Sequence, residues 1–204
     1  MRSFYKPLST AALGVTLLFV MAGCVDLKPK PDNTRYFVLD SGTSNVSQGV
    51  PSGDVILGMA RVTVASYLDT PRIAKRISDV EITYSPTSRW GEDLRIAIQD
   101  RVARRIVASG SVREVYTLPW PDGAAPSLRL TIHVDRFEGT MSSEAVLRGF
   151  WTLQNPSGTV LQRGNTDQRI PNWVIDDYSD LIVKLDLALD AAAEEIVAAI
   201  RTNS

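Results

Sequence analysis

The residues of this chain that could carry chemistry are few: one histidine, one cysteine and some carboxylates that stand side by side. His133 lacks the company a hydrolase needs, because no Gly-x-Ser-x-Gly run supplies a sharply turned nucleophile. It also falls on the polar phase of a predicted strand, where an exposed surface histidine is expected. Zinc needs several nitrogen or sulfur ligands, which one histidine and one cysteine cannot provide. Neither a P-loop nor a Gly-x-Gly-x-x-Gly run is present. The adjacent acids Asp176/Asp177 and Glu194/Glu195 do not share a helix face, since sequence neighbours point apart, and both pairs read as solvated surface. No catalytic constellation assembles. The chain is expected to be a non-enzyme with no metal and no dissociable cofactor.

Cys24 is different, because what surrounds it defines a covalent modification. Arg2 and Lys6 give a positive start, and no acid appears before Asp26. Leu8 to Ala22 is uncharged, apolar and small, and shorter than the roughly 20 residues that span a bilayer. With the small residues Ala22-Gly23 before the cysteine, this is the pattern of a secretory signal peptide. Met21-Ala22-Gly23-Cys24 resembles the bacterial lipobox, which implies an S-diacylglycerol group and an N-acyl chain on Cys24. A lone thiol in an oxidising compartment would otherwise be a liability. One acyl chain holds a protein only marginally, whereas three would hold it permanently. Val25 directly follows the cysteine and the Asp stands one place later, so by the enterobacterial sorting rule the outer membrane, facing the periplasm, is expected over the inner.

A third set of residues suits recognition. Val62 to Ile73 ends a strand in a proline turn bearing Tyr67, Asp69 and Arg72; Arg89-Trp90 precedes a helix; Arg136-Phe137-Glu138 closes a strand. Aromatic residues with arginine at strand ends are what the anchor of a protein interface looks like. Tyr67, Asp69, Arg72, Arg89 and Trp90 are therefore the candidate partner-binding residues. The local alternative is that Tyr67 and Trp90 cover the core while the charges form surface pairs worth under about 1 kcal/mol each.

These residues need elements to hold them. Removing residues 1–23 takes Arg2 and Lys6 away and leaves 20 basic residues against 23 acidic, which argues against nucleic-acid binding. Residues 24–34, with two prolines and alternating charge, read as an extended tether reaching at most about 36 Å. Residues 35–204 form one globular domain. Strands are expected at 35–40, 55–64, 72–77, 80–84 and 112–117, with a loop at 41–54. Leu94, Ile98, Val102 and Ile106 recur every four residues and predict a helix over 91–109, its arginines on the solvated remainder. Strict alternation predicts strands at 127–138 and 143–154, and Asn155-Pro156-Ser157-Gly158 turns the chain into a hairpin partner at 159–166. A long helix follows from Ser179, the expected N-cap, to Arg201. The fold class is α+β: a mainly antiparallel sheet with two long helices packed on one face.

Taken in order, these pieces resemble the ABC-type transport auxiliary lipoprotein family, typified by the paraquat-inducible protein C lipoprotein. The matching pieces are the lipobox cysteine, Tyr-Phe-Val-Leu at 36–39, Val-x-Val-x-x-Tyr-Leu-Asp-x-Pro-x-Ile at 62–73, Arg-Trp-x-Glu-x-Leu at 89–94, Arg-Phe-Glu at 136–138, Trp151 and an alanine-rich closing helix. The resemblance implies a lipoprotein, held to the membrane by its lipid, that accompanies an MCE-domain transporter protein carrying lipid between the two membranes. It also implies a ring-forming homo-oligomer. The competing expectation is a stand-alone envelope lipoprotein, acting as an assembly factor or as a lipid-binding module with an apolar cavity between sheet and helices.

Overall fold

The computed structural model describes residues 31–39 and 54–204. Cys24, the signal region and most of both the tether and the 41–54 loop lie outside the described residues. The chain divides into two units, 1–33 and 34–204, and the second holds the elements that follow.

In chain order they are β1 (Arg35–Phe37), β2 (Ile56–Met59), β3 (Thr63–Val64), a 3-10 turn (Ser66–Leu68), β4 (Arg72–Arg76), β5 (Ile82–Trp90), α1 (Leu94–Ala108), β6 (Glu114–Thr117), β7 (Leu128–Thr140), β8 (Glu144–Gln154), β9 (Val160–Pro171) and α2 (Tyr178–Thr202). β7 is the axis of the sheet. Along one edge it pairs antiparallel with β8, which pairs antiparallel with β9. Along its other edge lie β2, β3 and β4 in succession, all parallel to it. Residues 56–76 thus behave as one broken strand running beside β7, interrupted by the 3-10 turn.

That arrangement corrects the expected mainly antiparallel sheet. The sheet is mixed, and five of its eight strand pairings are parallel. The reason is non-local. Only β4–β5, β7–β8 and β8–β9 are joined by short turns; β1 and β2 meet their partners after long excursions, and parallel neighbours require such crossovers.

The helices bury the stripes their sequences carry. Leu94, Ile98, Val102 and Ile106 of α1 and Ile182, Leu185, Leu189, Ala192, Ile196 and Ala199 of α2 are all buried. Ile98, Val102, Leu189 and Ile196 meet over Leu147 and Trp151 of β8, so both helices cover the same face of the sheet. Two glycines permit close approach there. A Cβ on Gly149 would stand 2.1 Å from the carbonyl oxygen of His133 at a bulge in β7, and one on Gly164 would stand 2.3 Å from the Trp151 ring.

Three further expectations are corrected. The N-cap of α2 is Asp177 rather than Ser179: its carboxylate accepts from the amides of Ser179 and Asp180, and Ser179 falls inside the first turn. β5 continues past Tyr84 through Pro86 to Trp90, because Ser85 Oγ and the Arg89 guanidinium satisfy the backbone groups that the proline leaves without a ladder. Arg101 leaves the solvated face of α1 and lies buried, bonded through Nε and Nη2 to both oxygens of Asp186 at 2.6 and 3.0 Å and also to Asp190 at 2.7 Å. Arg105 continues the ladder to Glu194. Residues four apart on α1 thus meet residues four apart on α2 in the same order, so the two helices run parallel at this contact. Removing one partner of a buried pair leaves an uncompensated charge. Asp186→Ala is therefore expected to lower stability by about 3 kcal/mol in urea unfolding, and the apolar pair Arg101→Met with Asp186→Leu to recover most of that loss.

Candidate functional site

The 3-10 turn projects Tyr67 down onto β7, where its hydroxyl donates to Glu138 Oε2 at 2.6 Å and lies 3.0 Å from the Asp135 carbonyl oxygen. Glu138 is fully buried. Arg76 Nε from β4 donates to its other oxygen at 2.5 Å, and Arg136 Nε donates to that same oxygen at 2.9 Å. The Tyr84 hydroxyl of β5 then donates to the Tyr67 carbonyl at 2.9 Å. One carboxylate therefore ties the turn to two strands, with two guanidinium groups meeting its charge. Burial, together with the bond to Glu138, pushes the Tyr67 phenol far above its ordinary value of 10.0.

Held in this way, the turn forms one wall of a cleft of about 350 Å³. Val64, Leu68, Trp90 and Leu94 line it with apolar surface, and Pro71 closes one side. Asp69, Glu92, Asp93 and Arg95 supply its charges. Arg95 Nη2 reaches Asp93 at 2.6 Å and Asp69 at 3.3 Å, bridging turn and helix. The hydrogen bond from the Arg95 side chain holds the Asp93 carboxyl below the usual carboxylate range. Asp93 also caps α1, accepting from the Arg95 amide at 2.9 Å.

The structure brings two of the candidate residues, Asp69 and Trp90, to this cleft. Trp90 is only 5 % exposed, with its ring 5.8 Å from Phe137, so most of the indole belongs to the core. Tyr67 is half-buried and supports the wall. Arg72, exposed at the start of β4 beside Pro71, has no side-chain hydrogen bond or ion pair among the described residues. Arg89 pairs in register with Arg72, and its guanidinium is occupied by the carbonyls of Ser85, Pro86 and Ser88. Sequence reasoning missed Arg76, Asp93 and Arg95, and met Glu92 only inside the Arg-Trp-x-Glu-x-Leu run. Of the missed three, Asp93 carried a signal, as an acid at the mouth of a helix.

The other chemistry-bearing residues serve structure. His133 is half-buried rather than exposed: Nδ1 lies 2.7 Å from Thr63 Oγ1 and the ring 5.0 Å from that of Phe150. The acids expected on solvated surface are engaged too. Asp176 pairs with Lys75 at 2.5 Å, Asp177 caps α2, Glu194 pairs with Arg105, and Glu195 accepts from Gln168 at 2.7 Å. Among the described residues, no group of three His, Cys, Asp or Glu is placed to hold a metal.

A family model described as the ABC-type transport auxiliary lipoprotein component matches residues 37–197, from β1 to the last turns of α2. The chain belongs to this family. Its solved relatives agree in fold. A crystal structure of an uncharacterised protein covers 81 % of this chain and 97 % of its own at a TM-score of 0.65 and 17 % identity. A Xanthomonas campestris protein of the DUF330 family covers 73 % and 85 % at 0.62 and 21 % identity. A weaker likeness, with a TM-score of 0.46 at 12 % identity, is to a PelC dodecamer from Paraburkholderia phytofirmans, over 72 % of this chain and 89 % of that one. No curated protein sequence matches significantly. Membership makes the chain a transport auxiliary lipoprotein, and a lipoprotein is held at a membrane by its lipid. Among the described residues, no helix of this family member is long and apolar enough to cross a membrane.

The Tyr67–Glu138 bond has a pH consequence. A raised phenol pKa means that the fold prefers the un-ionised form, so this stabilisation is complete below pH 10 and is lost as pH rises through the folded value. At about pH 11, roughly one unit above the ordinary tyrosine value, Tyr67 is expected to remain un-ionised in the folded chain. An ultraviolet phenolate titration would show a tyrosine that ionises only as the chain unfolds, a step absent from Tyr67→Phe. A folded protein whose tyrosines all titrate near 10 would refute the assignment.

Proposed function

We propose that the protein is a non-enzymatic, lipid-anchored subunit of an MCE-type ABC lipid transport system, facing the periplasm and supporting envelope integrity. The observation that carries this reading is the match of the whole folded body to the auxiliary-lipoprotein family. The anchor is the lipid on Cys24, and the outer membrane is its expected site because Val25 rather than Asp follows the cysteine. The cleft between the 3-10 turn and α1 is the surface offered to the MCE-domain partner. Its apolar lining with Asp69, Glu92 and Asp93 suits a segment that presents an apolar anchor beside a basic group.

Self-association into a ring is part of the proposal. β9 is a twelve-residue strand whose ladder, among the described residues, is made with β8 alone, so its outer edge is offered to a second copy. The stand-alone lipid-binding reading is weakened by the gap under the two helices. Its volume of about 20 Å³ is room for about one water molecule, and an acyl chain would have to displace α1 or α2.

Two experiments test the proposal. Cys24→Ser is expected to move the protein from the membrane pellet to the soluble fraction with its circular dichroism unchanged; a variant that still floats with vesicles would remove the anchor. The lipidated protein is expected to co-purify with an MCE-domain protein in mild detergent. Glu92→Lys, an exposed change that reverses one carboxylate of the cleft and leaves the folded core intact, should lower that recovery at least about tenfold with little change in Tm. Failure of the wild type to form any such complex would overturn the docking assignment.

A further inference from the structure

Exposed apolar side chains are ordinary when scattered, but here several stand on separate loops that meet at one end of the molecule. The β4–β5 turn carries Val80, 96 % exposed, and the β7–β8 turn carries Met141, half exposed. The segment before α2 carries Val174, 62 % exposed, with Ile175 beside it. Val183 follows one turn into α2, half exposed and on the same helix ridge as Ser179.

Hydrogen bonds gather these pieces. The Met141 amide donates to the Arg76 carbonyl, where β4 ends, and the Trp173 amide donates to the Ser143 carbonyl in the β7–β8 turn. Lys75 of β4 pairs with Asp176, and the Val174 amide donates to Asp180 of α2 at 2.7 Å. Arg35, the first residue of β1, donates to Ser179 Oγ at 2.9 Å.

That last contact locates the chain entry. β1 pairs with the last residues of β5, Ser88–Trp90, and from there the Arg35 side chain reaches the start of α2, next to the Val174 segment. The same strand geometry puts the cleft at the start of β4 and the apolar loops at its finish. Ten residues separate Cys24 from Arg35, enough for at most about 36 Å of chain. A body tethered so briefly, through a residue bonded to the start of α2, keeps the loops beside that helix end within reach of the bilayer.

We propose that the end bearing Val80, Met141 and Val174 rests on the lipid surface that holds the anchor, with these side chains in the headgroup and upper acyl region. The proposal rests on the reading of Cys24 as the lipidated residue. The charges agree with insertion driven by apolar burial. Asp176 and Asp180 are engaged by Lys75 and Lys184, and Asp79 and Glu81 flank Val80, so anionic lipid gains no electrostatic advantage. The contact should therefore persist at high salt. It also leaves the cleft, at the other end of β4, open to a partner.

The test uses the full lipidated chain, in which Cys24 leaves no free thiol and an introduced cysteine is the unique labelling site. Val80→Cys, Met141→Cys and Val174→Cys would each carry an environment-sensitive fluorophore in phosphatidylcholine vesicles, with and without brominated acyl chains. Ser157→Cys is the control, at the β8–β9 turn roughly 33 Å along the hairpin from Glu144. The expected result is a blue-shifted emission quenched at least about twofold by brominated lipid at the three loop positions, unchanged at high salt, with no effect at 157. Flotation is scored in the same samples. Protein that floats while all four labels stay in water overturns the proposal and spares the anchor. Protein that fails to float overturns both. Loop labels shielded without bromine quenching would show a protein covering that end, and would overturn the proposal in favour of an interface.

Discussion

A buried carboxylate must be neutralised or paired, and the position of Glu138 makes that requirement the organising constraint of the body. Its partners come from the 3-10 turn, from β4 and from β7 itself. They join segments some 60 to 70 residues apart in the chain, which no short-range propensity could align. Satisfying Glu138 requires residues 56–76 to run alongside β7, with the turn folded inward at Tyr67. Once the turn is seated there, Leu68, Asp69 and Pro71 face the start of α1, and the cleft follows as a consequence.

The body then has two ends with different chemistry. At the start of β4 lie the cleft, its carboxylates and the exposed Arg72. At the finish of β4 lie three loops with exposed apolar tips, and the side chain of Arg35 reaches the start of α2 beside them. In a family of transport auxiliary lipoproteins such polarity suits a body that must meet both a membrane and a partner. The Arg101–Asp186 pair has a complementary part, because it fixes how α1 crosses α2 and so where Asp93 and Arg95 stand relative to the turn. The short β4 strand carries the connection between the two ends, with Arg72 at one terminus and Arg76, bonded to Glu138, at the other.

Local periodicity was readable and long-range pairing was not. The stripes of α1 and α2, the alternation of β7 and β8, and the hairpin turn at Asn155 to Gly158 all stand where their residue patterns put them, because each needs only neighbours in the chain. The parallel pairings of β1 to β4 could not be read, since an edge strand's sequence does not name its partner. Arg101 looked solvated because one arginine in a basic run carries no mark of the aspartate waiting 85 residues later. Glu138 stands in the Arg136-Phe137-Glu138 run singled out from the sequence, and its burial was also legible there. The buried phase of β7 runs through Leu128, Leu130, Ile132 and Val134, yet the next large apolar residue is Phe137, one position out of step. That switch marks the bulge between Val134 and Arg136, which turns Phe137 toward the helices and Glu138 beneath the 3-10 turn. Trp90 and Tyr67 were flagged as interface residues, and the aromatic types were informative, but they serve the cleft mainly from within its walls.

The central claim is that the Glu138 carboxylate, and the charge on it, holds the turn that shapes the cleft. Glu138→Gln keeps the size of the side chain and removes the charge. Native-state amide exchange reads the turn directly, through the Leu68, Asp69 and Thr70 amides that close it by bonding to Ala65, Ser66 and Leu68 carbonyls. The account predicts that these three amides exchange at least about tenfold faster in the variant while the amides of α2 keep their protection. Equal protection of the turn in both proteins, or a uniform loss across the whole body, would contradict it.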